Sequence, residues 1–152
     1  MTIFLDSSPL SLLSTPSAAN ASSQVFGIKQ WAADCDAAGH IFIVPECVDY
    51  EVRRELLRAN KAQSVAELDF LKSAFIYLPL TTEAMLKAAE LWAQTRQAGR
   101  STAHDENIDI DIILCAQVLT SGLELSDIVV ATSNLRHLSL FVNASLWTSI
   151  TP

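Results

Sequence analysis

Cysteine is scarce in this chain, and the three present, Cys35, Cys47 and Cys115, are odd in number, widely spaced and without a C-x-x-C pair. That spacing argues against a disulfide framework and a zinc knuckle, and reads all three as small buried hydrophobes. Long apolar runs are also missing. The longest, such as Ile41-Phe42-Ile43-Val44 and Ile112-Ile113-Leu114-Cys115-Ala116, fall far short of the roughly 20 residues that a membrane-spanning helix needs. The amino terminus has no positive region leading into an apolar stretch, because Asp6 interrupts Ile3-Phe4-Leu5 and Ser and Pro follow. A secretory signal is therefore not supported, and a cytoplasmic location is the default expectation. Signatures of nucleotide binding and of serine or zinc hydrolases are absent: there is no GxxxxGK(S/T), no GxGxxG, no GxSxG and no HExxH. His40, His104 and His137 lie too far apart in sequence to read as zinc spacing.

Basic residues are the minority, 10 Lys and Arg against 17 Asp and Glu, for a formal charge of −7. Binding to nucleic acid leans on Lys and Arg to neutralise phosphate, so this balance counts against a plain nucleic-acid-binding module. A nuclease escapes part of the objection, since clustered carboxylates take up divalent cations that then attract phosphate. Apolar residues are plentiful: half of the 152 residues are hydrophobic and 18% are charged. Such a chain can offset its conformational entropy with one substantial core, and a single domain spanning residues 1–152 is expected.

Thr2-Ile3-Phe4-Leu5 is a short β-prone run that places Asp6 at the carboxyl end of a first strand, with Ser7-Ser8-Pro9-Leu10 suited to a turn and helix start. Residues 14–23, rich in Ser, Ala, Pro and Asn, read as a loop. Val25, Ile28, Trp31 and Ala32 then recur at helical spacing up to Gly39. Ile41-Phe42-Ile43-Val44 is continuous and bounded by Gly39 and Pro45, as in a strand covered on both faces of a parallel sheet. The helix after it, with Pro45 in its first turn, buries Val48, Val52 and Leu56 and sets Glu51 at the edge between core and solvent. Further helices are predicted over 65–75, over 82–97 with Gly99 closing it, and over about 111–120. Strands are predicted around 76–80 and 128–131, with residues 99–107 a polar loop and Thr132-Ser133-Asn134 the turn leaving the last strand. Alternating strands and helices predict an α/β fold with a central, mostly parallel sheet and helices on both faces. Ligands gather at the carboxyl ends of strands in such sheets, where Asp6 and Asn134 both belong.

Several acids sit against apolar runs: Asp6 after Ile3-Phe4-Leu5, Glu51 beside the buried stripe, Asp109 and Asp111 against Ile112-Ile113-Leu114. A carboxylate near a core is costly unless paired or bound to a cation, so converging acids imply either ion pairs or a metal. On residue type alone, Asp6 also reads as a helix N-cap and Glu51 as an intrahelical partner of Arg54. Asp109 and Asp111 cannot share one face of a regular helix, since two residues subtend roughly 200 degrees. Asp111 is the favoured ligand, and Asp109 is held as an N-cap or reserve ligand.

Four blocks in order resemble the PIN-domain family, including the VapC-type ribonuclease toxins of bacterial toxin–antitoxin pairs. They are Ile3-Phe4-Leu5-Asp6-Ser7-Ser8, then Pro45-Glu46-Cys47-Val48-Asp49-Tyr50-Glu51-Val52-Arg53-Arg54-Glu55-Leu56, then Asp109-Ile110-Asp111-Ile112-Ile113-Leu114-Cys115-Ala116-Gln117, and last Val130-Ala131-Thr132-Ser133-Asn134-Leu135-Arg136-His137-Leu138. Each block alone is weak, whereas four in the right order are fairly specific. The resemblance implies a three-layer α/β/α sandwich and a metal-dependent endoribonuclease. Asp6, Glu51 and Asp111 would hold Mg2+ or Mn2+, which lowers the pKa of a bound water and polarises the scissile RNA phosphate for in-line attack. The family's strand-end motif falls on Thr132-Ser133-Asn134, where Asn134 replaces a carboxylate and makes a second ion doubtful. Asn134 would orient a water, and Thr132 would hold the strand end through its hydroxyl or serve the site directly.

Arg53, Arg54, Arg58 and Arg136 are candidate phosphate contacts, although arginines on helix surfaces more often pair with local acids. His137 falls near the same end of the fold, as a phosphate contact or a solvated or capping residue. Trp31, Trp92 and Trp147 read as core or interface residues rather than base-stacking ones. The resemblance also implies an RNA substrate, a homodimer and an antitoxin partner. The other reading is a PIN-like module that binds RNA or protein without cutting it, which Asn134 and the acidic balance favour. A phosphoacceptor domain suffers from the lack of a suitable acceptor-and-lysine pair.

Overall fold

In the computed structural model, residues 1–18, 21–98 and 108–152 are described. The expected helix stop at Gly99, the loop of residues 99–107 with His104, and Ala19 and Asn20 of the first loop lie outside the described residues.

The chain runs β1 (Thr2–Leu5), α1 (Ser7–Leu13), α2 (Ser23–Ala37), β2 (Ile41–Pro45), α3 (Glu46–Arg58), α4 (Ala62–Ala74), β3 (Ile76–Leu78), α5 (Thr82–Gln97), α6 (Ile108–Leu119), β4 (Ile128–Thr132), α7 (Leu135–Leu138) and β5 (Ala144–Leu146). The five strands form one parallel sheet in the order β3-β2-β1-β4-β5. Parallel strands need crossover connections, and the intervening helices supply them. β1 is central and carries four apolar or β-prone residues that are all buried, as a strand covered on both faces requires.

Strand β2 includes Pro45, which the sequence assigned to the first turn of the following helix. Pro45 instead ends the strand and stands at the N-cap of α3, where it offers no side-chain acceptor. A residue from α6 makes up the deficit: buried Gln117 accepts a hydrogen bond from the Cys47 N–H at 3.3 Å through Oε1. Its Nε2 donates to the Leu78 and Pro79 carbonyls at 3.0 and 3.3 Å. One amide thus ties α6, the start of α3 and the end of β3 together, and every polar atom it buries is partnered.

α4 begins three residues earlier than the periodicity suggested, and α6 begins at Ile108. α7 and β5 were not predicted. They are short and only partly buried, so they lack the periodicity that sequence reading depends on. β5 exists because β4 pairs it, from Val130↔Ala144 to Thr132↔Leu146. The three cysteines are buried and free, as expected. Trp31 packs edge-on to Phe42 at 5.5 Å and donates from Nε1 to the Ile150 carbonyl at 3.0 Å, fastening the last residues to α2. Trp147 packs against the same core at 5.7 Å from Trp31, whereas Trp92 is 42% exposed and lies under the Arg96 guanidinium. Among the described residues, no helix is long and apolar enough to cross a membrane.

Replacing Gln117 by Ala should strand the Cys47 N–H and two carbonyls and open a small cavity, at a cost of about 2–4 kcal/mol. Urea unfolding followed by tryptophan fluorescence measures this, and an unchanged midpoint would show that water satisfies those groups instead.

Candidate active site

The strand order reverses direction at β1. The chain builds outward through β2 and β3 on one side, then returns to place β4 and β5 on the other. The carboxyl ends of β1 and β4 form the switch point, the place where open α/β sheets bind ligands. Asp6 stands there, one residue past β1, with its N–H donating to the Ala131 carbonyl at 3.0 Å. Its carboxylate caps α1, accepting from the Ser7 N–H at 2.7 Å through Oδ1. Oδ2 accepts from the hydroxyl of Thr132, the fully buried last residue of β4, at 2.6 Å. The Thr132 Oγ1 in turn accepts from the Asn134 N–H at 2.9 Å. The N-cap role and the site position expected of Asp6 therefore coincide in one residue.

Glu51 reaches the same place from α3, which packs against both α1 and α6. Its Oε2 accepts a hydrogen bond from the Ser7 hydroxyl, so Ser7 joins Asp6 and Glu51. Its Oε1 lies 3.9 Å from the Arg54 guanidinium, the outer limit of an ion pair, on a side chain that is 42% exposed. Water screens such a contact, and the arginine does not neutralise the glutamate.

Asp111 enters from the first turn of α6. Burial pushes its carboxyl up to about 7, and the charges of Asp6 and Glu51 add to the rise. Burial also raises Asp6, against the lowering by the Thr132 and Ser7 hydrogen bonds, with Glu51 raising it further. Each shift names another member of the trio, so the three carboxylates share one field although they come from three elements. Neighbouring thiols feel it too. Burial, then the charges of Asp111 and Asp6, push Cys115 up to about 12, and burial with Glu51 raises Cys47. Neither is a thiolate near neutral pH. Among the described residues, Asp6 and Asp111 have no basic partner, and no group of three or more His, Cys, Asp or Glu side chains is placed so that it could hold a metal ion.

The remaining expected residues divide. Asp109 is exposed and lines the groove between α5 and α6 with Met85, Trp92 and Ile113, on the other side of α6 from the trio. It is also inside the helix rather than at its N-cap, because α6 starts one residue before it. The roughly 200-degree step between Asp109 and Asp111 accounts for both the exclusion of one and the inclusion of the other. Asn134 lies beside Thr132, but its Oδ1 caps α7, accepting from the Arg136 N–H at 3.2 Å. Its amide nitrogen and the second lone pair of Oδ1 are left for a ligand. Arg53 is committed to Asp49 and Asp69, both at 2.8 Å, and Arg58 to Glu55 at 2.7 Å. Arg54 borders Glu51, and Arg136 and half-buried His137 follow Asn134 on α7, the Arg136 guanidinium exposed and unpaired among the described residues. His40 lies before β2 with a buried, unpartnered Nε2 and no place in the trio. Ser7 and Ser133, which pairs with Ser8 at 2.9 Å, were not singled out from sequence, since serine at a strand end carries no periodic signal.

This arrangement is a PIN-like α/β/α fold, with helices on both faces of a wholly parallel sheet and Asp6 at the switch point of its strand order. Solved structures share it. A chain in the crystal structure of VapBC2 from Rickettsia felis, bound to a DNA fragment from their promoter, matches with a TM-score of 0.67 and 13% identity, covering 97% of this chain and 99% of that one. A chain of VapBC-1 from nontypeable Haemophilus influenzae matches with a TM-score of 0.65 and 13% identity, covering 98% and 100%. At the level of fold, the resemblance to VapC-type PIN domains is borne out. No family model and no curated protein matches the sequence.

Asp111 titrates near 3.8 when unfolded and near 7 when folded, so between those values the folded state holds the extra proton and stability falls as pH rises. Asp111→Asn removes that loss. In metal-free buffer its urea midpoint should exceed the native one, with a gap that widens from pH 5.5 to pH 8 and corresponds to roughly 1–3 kcal/mol at the upper end. An equal gap at both pH values would contradict the shift.

Proposed function

We propose that this chain is a metal-dependent endoribonuclease of the toxin-type PIN class, hydrolysing RNA phosphodiester bonds. The observation that carries the reading is that Ser7 joins the Asp6 and Glu51 carboxylates at the end of β1, with no basic side chain paired to Asp6 or Asp111 among the described residues; burial and those two charges also raise Asp111. Three such carboxylates repel one another, and a divalent cation is the ligand that reverses the sign of the repulsion. The donor set fits Mg2+ or Mn2+: it is all oxygen, both nearby thiols stay protonated, and each Asp6 oxygen keeps a lone pair beyond the hydrogen bond it accepts. Magnesium keeps several waters and takes one or two carboxylates together with substrate phosphate, so it does not require all three of these side chains at once.

The chemistry such an ion supplies when bound is activation of water and polarisation of the scissile phosphate. The protein's own residues do the positioning. Thr132 and the Ser7 N–H fix the Asp6 carboxylate from both sides, and the Ser7 hydroxyl orients Glu51. Asn134, its Oδ1 also capping α7, would orient a water, and Arg54, Arg136 and His137 would contact phosphate. RNA as substrate follows from the family resemblance. So do a homodimer, a cytoplasmic location and a protein antitoxin, the last favoured also by the likeness to chains of VapBC complexes.

RNA cleavage in Mg2+ or Mn2+, abolished by chelation, tests the reading. Asp6→Asn and Asp111→Asn should each lower it by about 100-fold or more, a loss of roughly 3 kcal/mol in transition-state stabilisation. Activity untouched by both substitutions rejects the assignment. The non-cutting module is the second reading, favoured by the uncharged Asn134 at the strand-end motif and by the net charge of −7. Calorimetric titration with Mn2+ separates the two, because that module takes up no ion at the trio and the nuclease loses its uptake in Asp111→Asn.

A further inference from the structure

Tyr50 precedes Glu51 on α3 and is 57% exposed, with its hydroxyl unpartnered among the described residues. A single exposed aromatic residue is ordinary. What surrounds this one is not. The Arg54 guanidinium lies over its ring at 5.3 Å from the centroid, while the same guanidinium reaches to 3.9 Å from Glu51. Arg54 therefore leans between the ring and the carboxylate crevice. The other two arginines of this helix are held elsewhere, Arg53 by Asp49 and Asp69 and Arg58 by Glu55. The aromatic ring, the cation and the catalytic edge of α3 thus stand within one helical turn of each other.

An aromatic face beside a planar cation is the combination that takes an unpaired nucleobase, because every base offers a π-face and its backbone phosphate meets the positive charge. Resting on the nuclease reading above, we propose that Tyr50, backed by Arg54, is a stacking platform for one unpaired base of single-stranded RNA next to the phosphate that the acidic crevice cuts. The platform grips one particular nucleotide beside the cut phosphate through its base face, which a base within a duplex does not offer. It also gives the acidic chain a local means of holding RNA that does not depend on net charge.

The test uses single-stranded RNA oligonucleotides carrying 2-aminopurine at successive positions, with Asp111→Asn as the cleavage-blocked parent in Mg2+. Binding should quench the fluorescence at one position. Adding Tyr50→Ala should abolish that quench and weaken Kd by on the order of tenfold, and Tyr50→Phe should keep both. In the cleaving protein, Tyr50→Ala should raise KM for single-stranded RNA with kcat within about threefold of native, as expected of lost binding outside the reacting atoms. Unchanged quench and Kd in Tyr50→Ala overturn the platform while leaving the nuclease standing. A native protein that neither binds nor cuts any RNA overturns both.

Discussion

The hydrogen bond from the Thr132 hydroxyl to the Asp6 carboxylate, 2.6 Å long and closed to solvent on the threonine side, joins the carboxyl ends of the two strands where the sheet changes direction. Everything at the crevice is arranged around it. Asp6 is too buried to tolerate its charge unaided, and the donors Thr132 and Ser7 counter that burial from opposite oxygens. Ser7 then passes the arrangement to Glu51, and the packing of α3 on α6 brings Asp111 into the same field. The result is a group of acids whose burial and mutual repulsion raise Asp6 and Asp111, and which the fold holds against that cost.

Helix α3 shows how differently one element can treat its acids. Asp49 is more buried than Glu51, yet it is met by Arg53 at 2.8 Å and Lys72 at 3.1 Å, with Lys72 also over the Tyr77 ring. Glu46 accepts from the Leu80 N–H at 2.6 Å. Those two acids fasten α3 to α4 and to the segment after β3, and they are satisfied. Glu51, two residues past Asp49 and so on another face, has only a serine hydroxyl and a distant arginine. The division separates structural carboxylates from those free to meet a ligand, and it is made by the neighbouring elements rather than by the helix itself.

Gln117 gives the arrangement its rigidity. An amide that caps α3 where Pro45 cannot, while also binding the carbonyls after β3, fixes the spacing of α3 and α6. The positions of Glu51 and Asp111 follow from that spacing. A site built on helices locked in this way keeps its geometry better than one carried on loops.

The apolar runs alone were enough to read four of the strands and the helices between them, because a strand buried on both faces and a helix with a buried stripe leave strong periodic marks. Asp6, Glu51 and Asp111 stood out as candidates because each lies beside an apolar run or stripe, which left ion pairs and a metal equally open without the family resemblance. Strand β5 and helix α7 were not legible, since three or four partly buried residues carry no period, and only pairing with β4 and the Asn134 cap make them form. Sequence spacing separated Asp109 from Asp111 and favoured Asp111, and the packing of α6 on α5 and α3 sets Asp109 in the α5–α6 groove. Nor could it tell which arginine of α3 was tied down and which stood at the rim, because Asp69 is 16 residues from Arg53 along the chain. The local chemistry of the chain thus determined what the elements are and which carboxylates they carry. Which of those carboxylates stay unneutralised was settled by tertiary structure alone, since charge compensation acts through space, between residues that sequence order keeps apart.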